Sequence, residues 1–219
     1  MIAPLIKRDL VLALRSGGAW LYGLFFFAVF IALSAIALGG SLNVMRPLAP
    51  ALIWLAVIFS AMLSFHSIFQ EDYRDGNLAQ LKLSGAGGLI LCTAKAISFT
   101  LLSILPLIIA TPLAALVFDM SSQTVMATVL SLILASPALA IYGVLSSAIL
   151  AGRRGGGFLI VLITTPFLIP LLIFGIEAIE GYSIHGLVAL EFRILVGLSF
   201  IAIAVGLPAA AAALNAHLE

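Results

Sequence analysis

The sequence predicts an all-α integral membrane protein that crosses the bilayer six times. Its composition is the first observation, since 63% of the 219 residues are hydrophobic and only 9% are charged, whereas soluble domains are about 25% charged. The second is the presence of six apolar runs near the roughly 20 residues that a helix needs to cross a hydrocarbon core. These runs are continuously apolar and do not alternate as barrel strands do, so each is predicted to be a helix.

The predicted spans leave only short connections, so residues 1–219 are predicted to form a single membrane domain. The spans cover residues 19–38, 50–69, 96–118, 125–150, 158–176 and 194–214. Residues 1–16 precede them and have helical periodicity with Lys7, Arg8 and Arg15 on one arc, which is typical of a helix lying in the membrane interface. Asp9 falls within the apolar arc of that helix, so it either reaches the headgroup region or meets a cation from a neighbouring helix.

Basic residues are distributed unequally between the two sides of this arrangement. Counting loops from the N-terminus, Arg46 and Arg193 fall on one side, and the other side holds Lys7, Arg8, Arg15, Arg74, Lys82, Lys95, Arg153 and Arg154. Because cytoplasmic loops carry an excess of Lys and Arg, both termini are predicted to be cytoplasmic. The near-neutral net charge of +1 gives no indication of a nucleic-acid partner.

The most polar stretch of the chain, residues 70–82, lies between the second and third spans on the predicted cytoplasmic side. It contains Glu71, Asp72, Arg74, Asp75 and Lys82, which cannot lie in lipid at acceptable cost. A short helix presenting Glu71, Asp72 and Asp75, with Leu78 and Leu81 three residues apart, has the charge and apolar face needed to dock on a soluble partner. A solvated loop is the alternative.

No catalytic or metal site is predicted. The glycine-rich link 152–157 contains Arg153 and Arg154 but lacks the Lys-Ser or Lys-Thr pair of a phosphate-binding Walker A loop, so we expect no ATP hydrolysis by this route. The two arginines set topology, or else contact a partner or lipid headgroups. His66, His185 and His217 are widely separated, no zinc-helix or nucleophile-elbow motif occurs, and Cys92 is the only cysteine.

Prolines recur inside the predicted spans, and three of them are candidates for hinges. Pro137 lies in the fourth span, and Pro166 and Pro170 lie four residues apart in the fifth. Each removes a backbone donor and frees a carbonyl one turn earlier, which neighbouring helices or water must then satisfy. The sequence leaves two interpretations open, static kinks in a packed bundle and hinges of a moving one.

Several short motifs, taken together, resemble the CcmB family of cytochrome c maturation. The first is a Phe and acidic residues followed by Asp-Gly and Leu-x-Gln-Leu. It is matched by Phe69, Glu71, Asp72, Asp75, Gly76, Leu78, Gln80 and Leu81. Further matches are Leu48-Ala49-Pro50 with Ile53-Trp54, Ala94-Lys95, Pro137-Ala138-Leu139, Arg153-Arg154-Gly155-Gly156, and Pro166 through Ile169-Pro170 to Leu172-Ile173-Phe174-Gly175. Their order and spacing hold along nearly the whole chain.

The resemblance implies a permease similar to ABC-2-type exporters, with an interfacial N-terminal helix and a cytoplasmic coupling helix. The coupling residues it implies are Glu71, Asp72, Asp75, Gly76, Leu78, Gln80 and Leu81. Partners in that family are the ATP-binding subunit CcmA, the haem-handling membrane proteins CcmC and CcmD, and the periplasmic haem chaperone CcmE. The implied location is the bacterial inner membrane, and the implied assembly contains a homodimer of the permease.

The resemblance also assigns the chemistry to other components. ATP binds the partner subunit, haem is a candidate cargo, and this chain itself is expected to hold no cofactor and to be no enzyme. Whether ATP drives haem across the membrane or releases the loaded chaperone stays open at this point. Two other functions also stay open: a non-transporting scaffold that recruits haem-handling proteins, and an ABC-2-type exporter of another cargo.

Overall fold

The computed structural model describes residues 2–15, 21–78, 80, 87–152 and 157–218. Within these ranges the regular structure is entirely helical, which confirms the predicted fold class. The helices are α1 (Ile2–Arg15), α2 (Leu21–Ala37), α3 (Leu42–Phe65), α4 (Ser67–Arg74), α5 (Gly88–Phe99), α6 (Leu105–Val117), α7 (Ser122–Ile149), α8 (Gly157–His185), α9 (Leu190–Ile201) and α10 (Leu207–Leu218).

Several of these helices run on from one another and form longer rods. A π-helical segment, Thr100–Ile104, joins α5 to α6, and a second, Ala202–Gly206, joins α9 to α10. Each segment ends two residues before a proline, Pro106 or Pro208, which supplies no backbone N–H to the helix. A widened turn of this kind is a common way for a helix to absorb such a defect.

Five rods of the described chain are long and apolar enough to cross a membrane, and the protein is a multi-pass membrane protein. They cover Leu42–Arg74, Gly88–Val117, Ser122–Ile149, Gly157–Val188 and Leu190–His217. α2 is shorter at 17 residues, which corresponds to about 25 Å and lies at the lower limit for a span. Six crossings therefore stay a prediction.

Two helices extend beyond the spans predicted from the sequence. The predicted third span begins at Ala96, but its helix begins at Gly88 and includes Lys95, whose charge is paired with carboxylates of other helices. The second was expected to begin at Pro50 but begins at Leu42, and Arg46 in its first turns pairs with Asp119. Apolar run length alone therefore underestimated both helices.

α7 lies at the centre of the bundle and contacts helices from most of the chain. Its C-terminal half is rich in small residues, which allow close approach between helices. Gly143 shows the requirement directly, since an added Cβ would lie 2.5 Å from Cδ1 of Phe65 on α3. Buried hydrogen bonds fix the neighbours: Trp54 Nε1–H donates to Ser131 Oγ (3.1 Å), and Thr164 Oγ1–H donates to Ser146 Oγ (2.6 Å).

Pro137, inside α7, illustrates how the frequent prolines are tolerated. The carbonyl that it leaves without an amide partner belongs to Ile133, and the Ser136 hydroxyl donates to that oxygen at 2.8 Å. Pro137, Pro166 and Pro170 all lie inside α-helices. Whether the three act as hinges stays a prediction.

Large apolar side chains cover the outside of the bundle. Phe25, Ile36, Leu113 and Leu116 are each at least two-thirds exposed. Soluble monomers rarely expose contiguous apolar surface on this scale, whereas lipid-facing helices do. The outer surface therefore agrees with the membrane assignment from the sequence.

Candidate functional site

The polar segment predicted to couple to a partner begins as a helix that continues α3 beyond the apolar core. His66 has helical backbone angles, so α4 follows α3 with little interruption. It ends at Arg74, and Gly76 two residues later has a φ of +71°, the left-handed conformation that commonly follows the end of a helix. The amide of Asp75 donates to the Glu71 carbonyl at 3.0 Å, and that of Gly76 to the Tyr73 carbonyl at 3.2 Å. The segment is therefore an ordered extension of a membrane helix as far as residue 76.

Asp72 of α4 lies in a four-charge cluster formed with Arg8, Asp9 and Lys95. Arg8 Nη2 donates to both carboxylate oxygens of Asp72 at 3.1 Å and to Asp9 Oδ1 at 2.8 Å. Lys95 Nζ lies 2.5 Å from Asp72 Oδ2 and 3.2 Å from Asp9 Oδ2. The cluster thus joins α1, α4 and α5, and it confirms that Asp9 meets a cation from a neighbouring helix.

Charge balance explains how this cluster is tolerated where it is largely buried. Two cations face two carboxylates, and Asp72 and Asp9 have side chains only 6% and 9% exposed. Burial lowers the pKa of Arg8, but the hydrogen bonds and attraction of Asp9 and Asp72 outweigh it, so the pKa of Arg8 is raised above its ordinary value. Arg8 therefore stays charged, and removing one carboxylate would leave buried positive charge unbalanced.

A second contact joins α4 to the connection between α7 and α8. Gly152 has a φ of +76°, and an added Cβ there would lie 2.7 Å from the hydroxyl oxygen of Tyr73. Glycine is therefore required at this position for its backbone angle and for the space that the tyrosine ring occupies. This contact brings together two segments, residues 70–82 and 152–157, that were both predicted to be cytoplasmic.

Some of the predicted coupling residues lie at the surface and others lie in the interior. Glu71, Asp75, Gly76 and Gln80 are exposed, whereas Asp72 and Leu78 are buried at 5% and 2% exposure. The expectation that Asp72 is presented to a partner is therefore wrong, because its carboxylate is held by Arg8 and Lys95 of the same chain. Leu81, Arg153 and Arg154 lie outside the described residues.

Two contacts in this region carried little sequence signal. His217, near the end of α10, has Nε2 3.0 Å from the carbonyl oxygen of Ile149 at the end of α7, although it looked like part of a tail. Lys95 gave no sign of its partners, since these lie 86 and 23 positions away. The one signal that pointed to the cluster was the acidic Asp9 in the apolar arc of α1.

The sequence of this chain is similar to those of known proteins. A family model described as "CcmB protein" matches residues 1–217. The chain belongs to the CcmB family. This confirms the resemblance that the motifs indicated, and the match extends over almost the full length.

Curated relatives of this CcmB family member carry the name "Heme exporter protein B". The protein from Bradyrhizobium diazoefficiens is 33% identical over 219 residues, covering 100% of this chain and 99% of the relative. That from Paracoccus denitrificans is 34% identical and covers 98% and 99%. That from Haemophilus influenzae is 35% identical and covers 83% and 82%.

Proposed function

We propose that this chain is the membrane permease subunit of an ABC transporter that serves cytochrome c biogenesis. In this proposal it crosses the bacterial inner membrane six times with both termini in the cytoplasm, has ABC-2-type architecture and acts as a homodimer. ATP is bound and hydrolysed by a separate subunit, CcmA, and CcmC, CcmD and the chaperone CcmE handle haem. Family membership and the name of the relatives support the haem-related part of the proposal.

The observation that carries the coupling role is the bracing of α4. Asp72 ties this helix to α1 and α5, and Tyr73 packs against Gly152 between α7 and α8. A helix held at these points passes a displacement to the bundle more effectively than a mobile loop does, because packed elements move as units. In this proposal a soluble motor would contact the exposed Glu71, Asp75 and Gln80, while Asp72 and Leu78 act indirectly by positioning them.

Two versions of the mechanism fit the same coupling. Rearranged helices would either pass haem to the periplasmic side or release CcmE once it is loaded. A scaffold without transport and an exporter of another cargo use the same architecture. The ATP requirement distinguishes the scaffold: support of c-type cytochrome assembly by an ATPase-dead partner would favour it.

The test compares two pairs of charge reversals at opposite ends of the bundle. Glu71→Lys with Asp75→Lys changes the exposed face of α4, and the control Glu177→Lys with Glu180→Lys changes exposed carboxylates at the far end of α8. Tagged chains would be purified from membranes in mild detergent, and the co-purified ATPase and holocytochrome c yield measured. We expect loss of both for the α4 pair alone, because like charges would oppose docking.

Two outcomes would contradict the proposal. One is retention of an ATPase and of normal holocytochrome by the α4 double reversal at wild-type membrane levels. The other is the absence of any ATPase from the wild-type preparation. Equal loss in the control pair would indicate general instability, which membrane levels and gel-filtration profiles measure directly.

A further inference from the structure

A cavity of about 170 Å³ opens beside the charged cluster, between α1, the α3–α4 rod and α5. Its walls are two matching helical stripes with spacing i, i+3, i+4, i+7 and i+8, running from Ser64 to Asp72 and from Lys95 to Ser103. Residues with this spacing share one face of a helix. Each stripe extends over nine residues, or eight steps of 1.5 Å, which is about 12 Å along the helix axis. The cavity is therefore a trench that runs from the charged end of the bundle into its apolar part.

One end of the trench is charged and the other end is apolar, as in a lipid molecule. Glu71 and Lys95 lie at the charged end, Ser98 lies one turn deeper, and Leu102 lies one further turn into the apolar span. Leu12 of α1 adds an apolar side chain to the same wall and is half exposed. A ligand that fills the trench must therefore be charged at one end and apolar at the other.

Ser98 supplies independent evidence for an occupant. Its residue is 3% exposed, it lines the trench, and its hydroxyl has no hydrogen-bond partner among the described residues. Buried hydroxyls are hydrogen-bonded in most proteins, so an unpaired one in a cavity wall is a candidate contact for a ligand. Lys95 is a second candidate contact. Its two carboxylate contacts account for two of the three ammonium hydrogens, which leaves one for a ligand.

The charges of the trench select among lipid headgroups. The charged lining residues in the described part of the chain are Asp9, Glu71, Asp72 and Lys95. Arg8 and Lys95 balance Asp9 and Asp72, so Glu71 is the unbalanced charge of this group. Glu71 is exposed and forms no ion pair within the described part of the chain, whereas Asp9 and Asp72 are already paired. An ammonium is therefore favoured next to Glu71, and a phosphate next to Lys95 and Ser98.

We propose that the trench binds a zwitterionic phospholipid with a primary ammonium headgroup. Its ammonium donates to Glu71, its phosphate accepts from Lys95 and Ser98, and its acyl chains follow Leu102 and Leu12 into the membrane. Phosphatidylethanolamine has this chemistry. Phosphatidylcholine lacks the N–H donors, and an anionic lipid such as phosphatidylglycerol meets the surplus of carboxylates. The inference does not rest on the proposed transport function, because binding is measured on the purified chain without any ATPase.

The test measures lipid binding to the purified full-length chain in detergent by native mass spectrometry. Equal concentrations of phosphatidylethanolamine, phosphatidylcholine and phosphatidylglycerol of identical acyl composition would be compared. We expect phosphatidylethanolamine to bind about tenfold more tightly than phosphatidylcholine, as befits a charge-assisted hydrogen bond in a partly buried site. Soluble phosphoethanolamine should displace it weakly, because it lacks the acyl chains.

Ser98→Ala and Ser60→Ala form a matched pair of variants. Both serines are buried and have an unpaired hydroxyl, but Ser60 does not line the trench. Ser98→Ala should weaken phosphatidylethanolamine binding about fivefold, as the loss of one hydrogen bond predicts, and Ser60→Ala should leave it unchanged. Glu71→Gln should remove most of the preference over phosphatidylcholine while the chain keeps its gel-filtration profile.

Three results would overturn the proposal. One is equal affinity of the wild-type chain for the three lipids, and another is the same response of the two serine variants. The third is full displacement by phosphoethanolamine at concentrations equal to those of the lipid, which would assign the trench to a soluble ligand.

Discussion

The ammonium of Lys95 lies 2.5 Å from the Asp72 carboxylate, although the two residues belong to different helices. Arg8 approaches the same carboxylate from α1, which starts the chain. Three helices that are separate in sequence are thereby fixed around one side chain. This arrangement makes Asp72 a structural centre of this end of the bundle and leaves the exposed positions of α4 free for other contacts.

The first prediction concerns the neutralisation of Asp72. Asp72→Asn should lower the free energy of unfolding by about 3 kcal/mol, because breaking a buried ion pair leaves charge without compensation. Asp9 still faces both cations, so we expect a folded but less stable protein. Thermal unfolding of the purified chain in detergent, followed by its gel-filtration profile, measures the difference.

Asp75→Asn is the matched control for this substitution. Asp75 lies three residues further along, is exposed, and has no ion pair within the described residues. We expect it to change stability by less than about 0.5 kcal/mol, as surface substitutions usually do. Equal melting temperatures for the two variants would show that the cluster does not stabilise the protein.

The second prediction separates backbone strain from crowding at Gly152. Gly152 and Gly186 both have positive φ, at +76° and +61°, but an added Cβ meets Tyr73 only at Gly152. Gly186→Ala should therefore cost about 1–2 kcal/mol from the left-handed backbone alone. Gly152→Ala should cost roughly 1–3 kcal/mol more, because the ring of Tyr73 must move.

Combining Gly152→Ala with Tyr73→Ala tests this account. The double variant should recover the crowding part of the loss and keep the backbone part, since the φ of residue 152 does not depend on the ring. Melting temperatures of the wild type, Gly152→Ala, Tyr73→Ala and the double variant give the comparison. A Gly152→Ala variant no less stable than Gly186→Ala would contradict the observed contact between α4 and the α7–α8 connection.

The third prediction concerns Gly175, which lies against Trp54 in the middle of the bundle. An added Cβ at Gly175 would lie 2.7 Å from the indole Cη2 atom. Gly175→Ala should therefore displace the indole and weaken its hydrogen bond to Ser131, at a cost of about 1–3 kcal/mol. The emission of Trp54, recorded in a Trp20→Phe background, should shift as its surroundings change.

Gly197→Ala provides the reference for a helical glycine with space around it. Within the described residues, and apart from the nearby backbone of α9 itself, no atom lies within 4 Å of an added Cβ at this position. We expect no change in Trp54 emission and a stability equal to or slightly above that of the wild type, because alanine favours a helix over glycine. Identical spectra for Gly175→Ala and the wild type would rule out the tight packing of these two helices.

Part of the site was predictable from local sequence and part of it was not. α4 ends at Arg74, close to Gly76, because glycine readily adopts the left-handed conformation that terminates helices. The acidic surface at Glu71 and Asp75 follows from their charge. The interior position of Asp72 did not follow, because the cations that hold it come from 64 and 23 residues away. Helical periodicity shows which residues lie on the same face of a helix, but it does not show which residues of another helix pack against that face.

The sequence by itself determined the membrane class, the helical fold, the family and the position of the polar segment. These depend on composition, apolar run length and local motifs, which are properties of neighbouring residues. Only the tertiary structure decided that Lys95 pairs with Asp9 and Asp72, that Asp72 joins α4 to α1 and α5, and that Ser98 lines a trench without a hydrogen-bond partner among the described residues. Those properties depend on the charges and surfaces that packing brings together, because the cost of burying a polar group is set by what surrounds it in space.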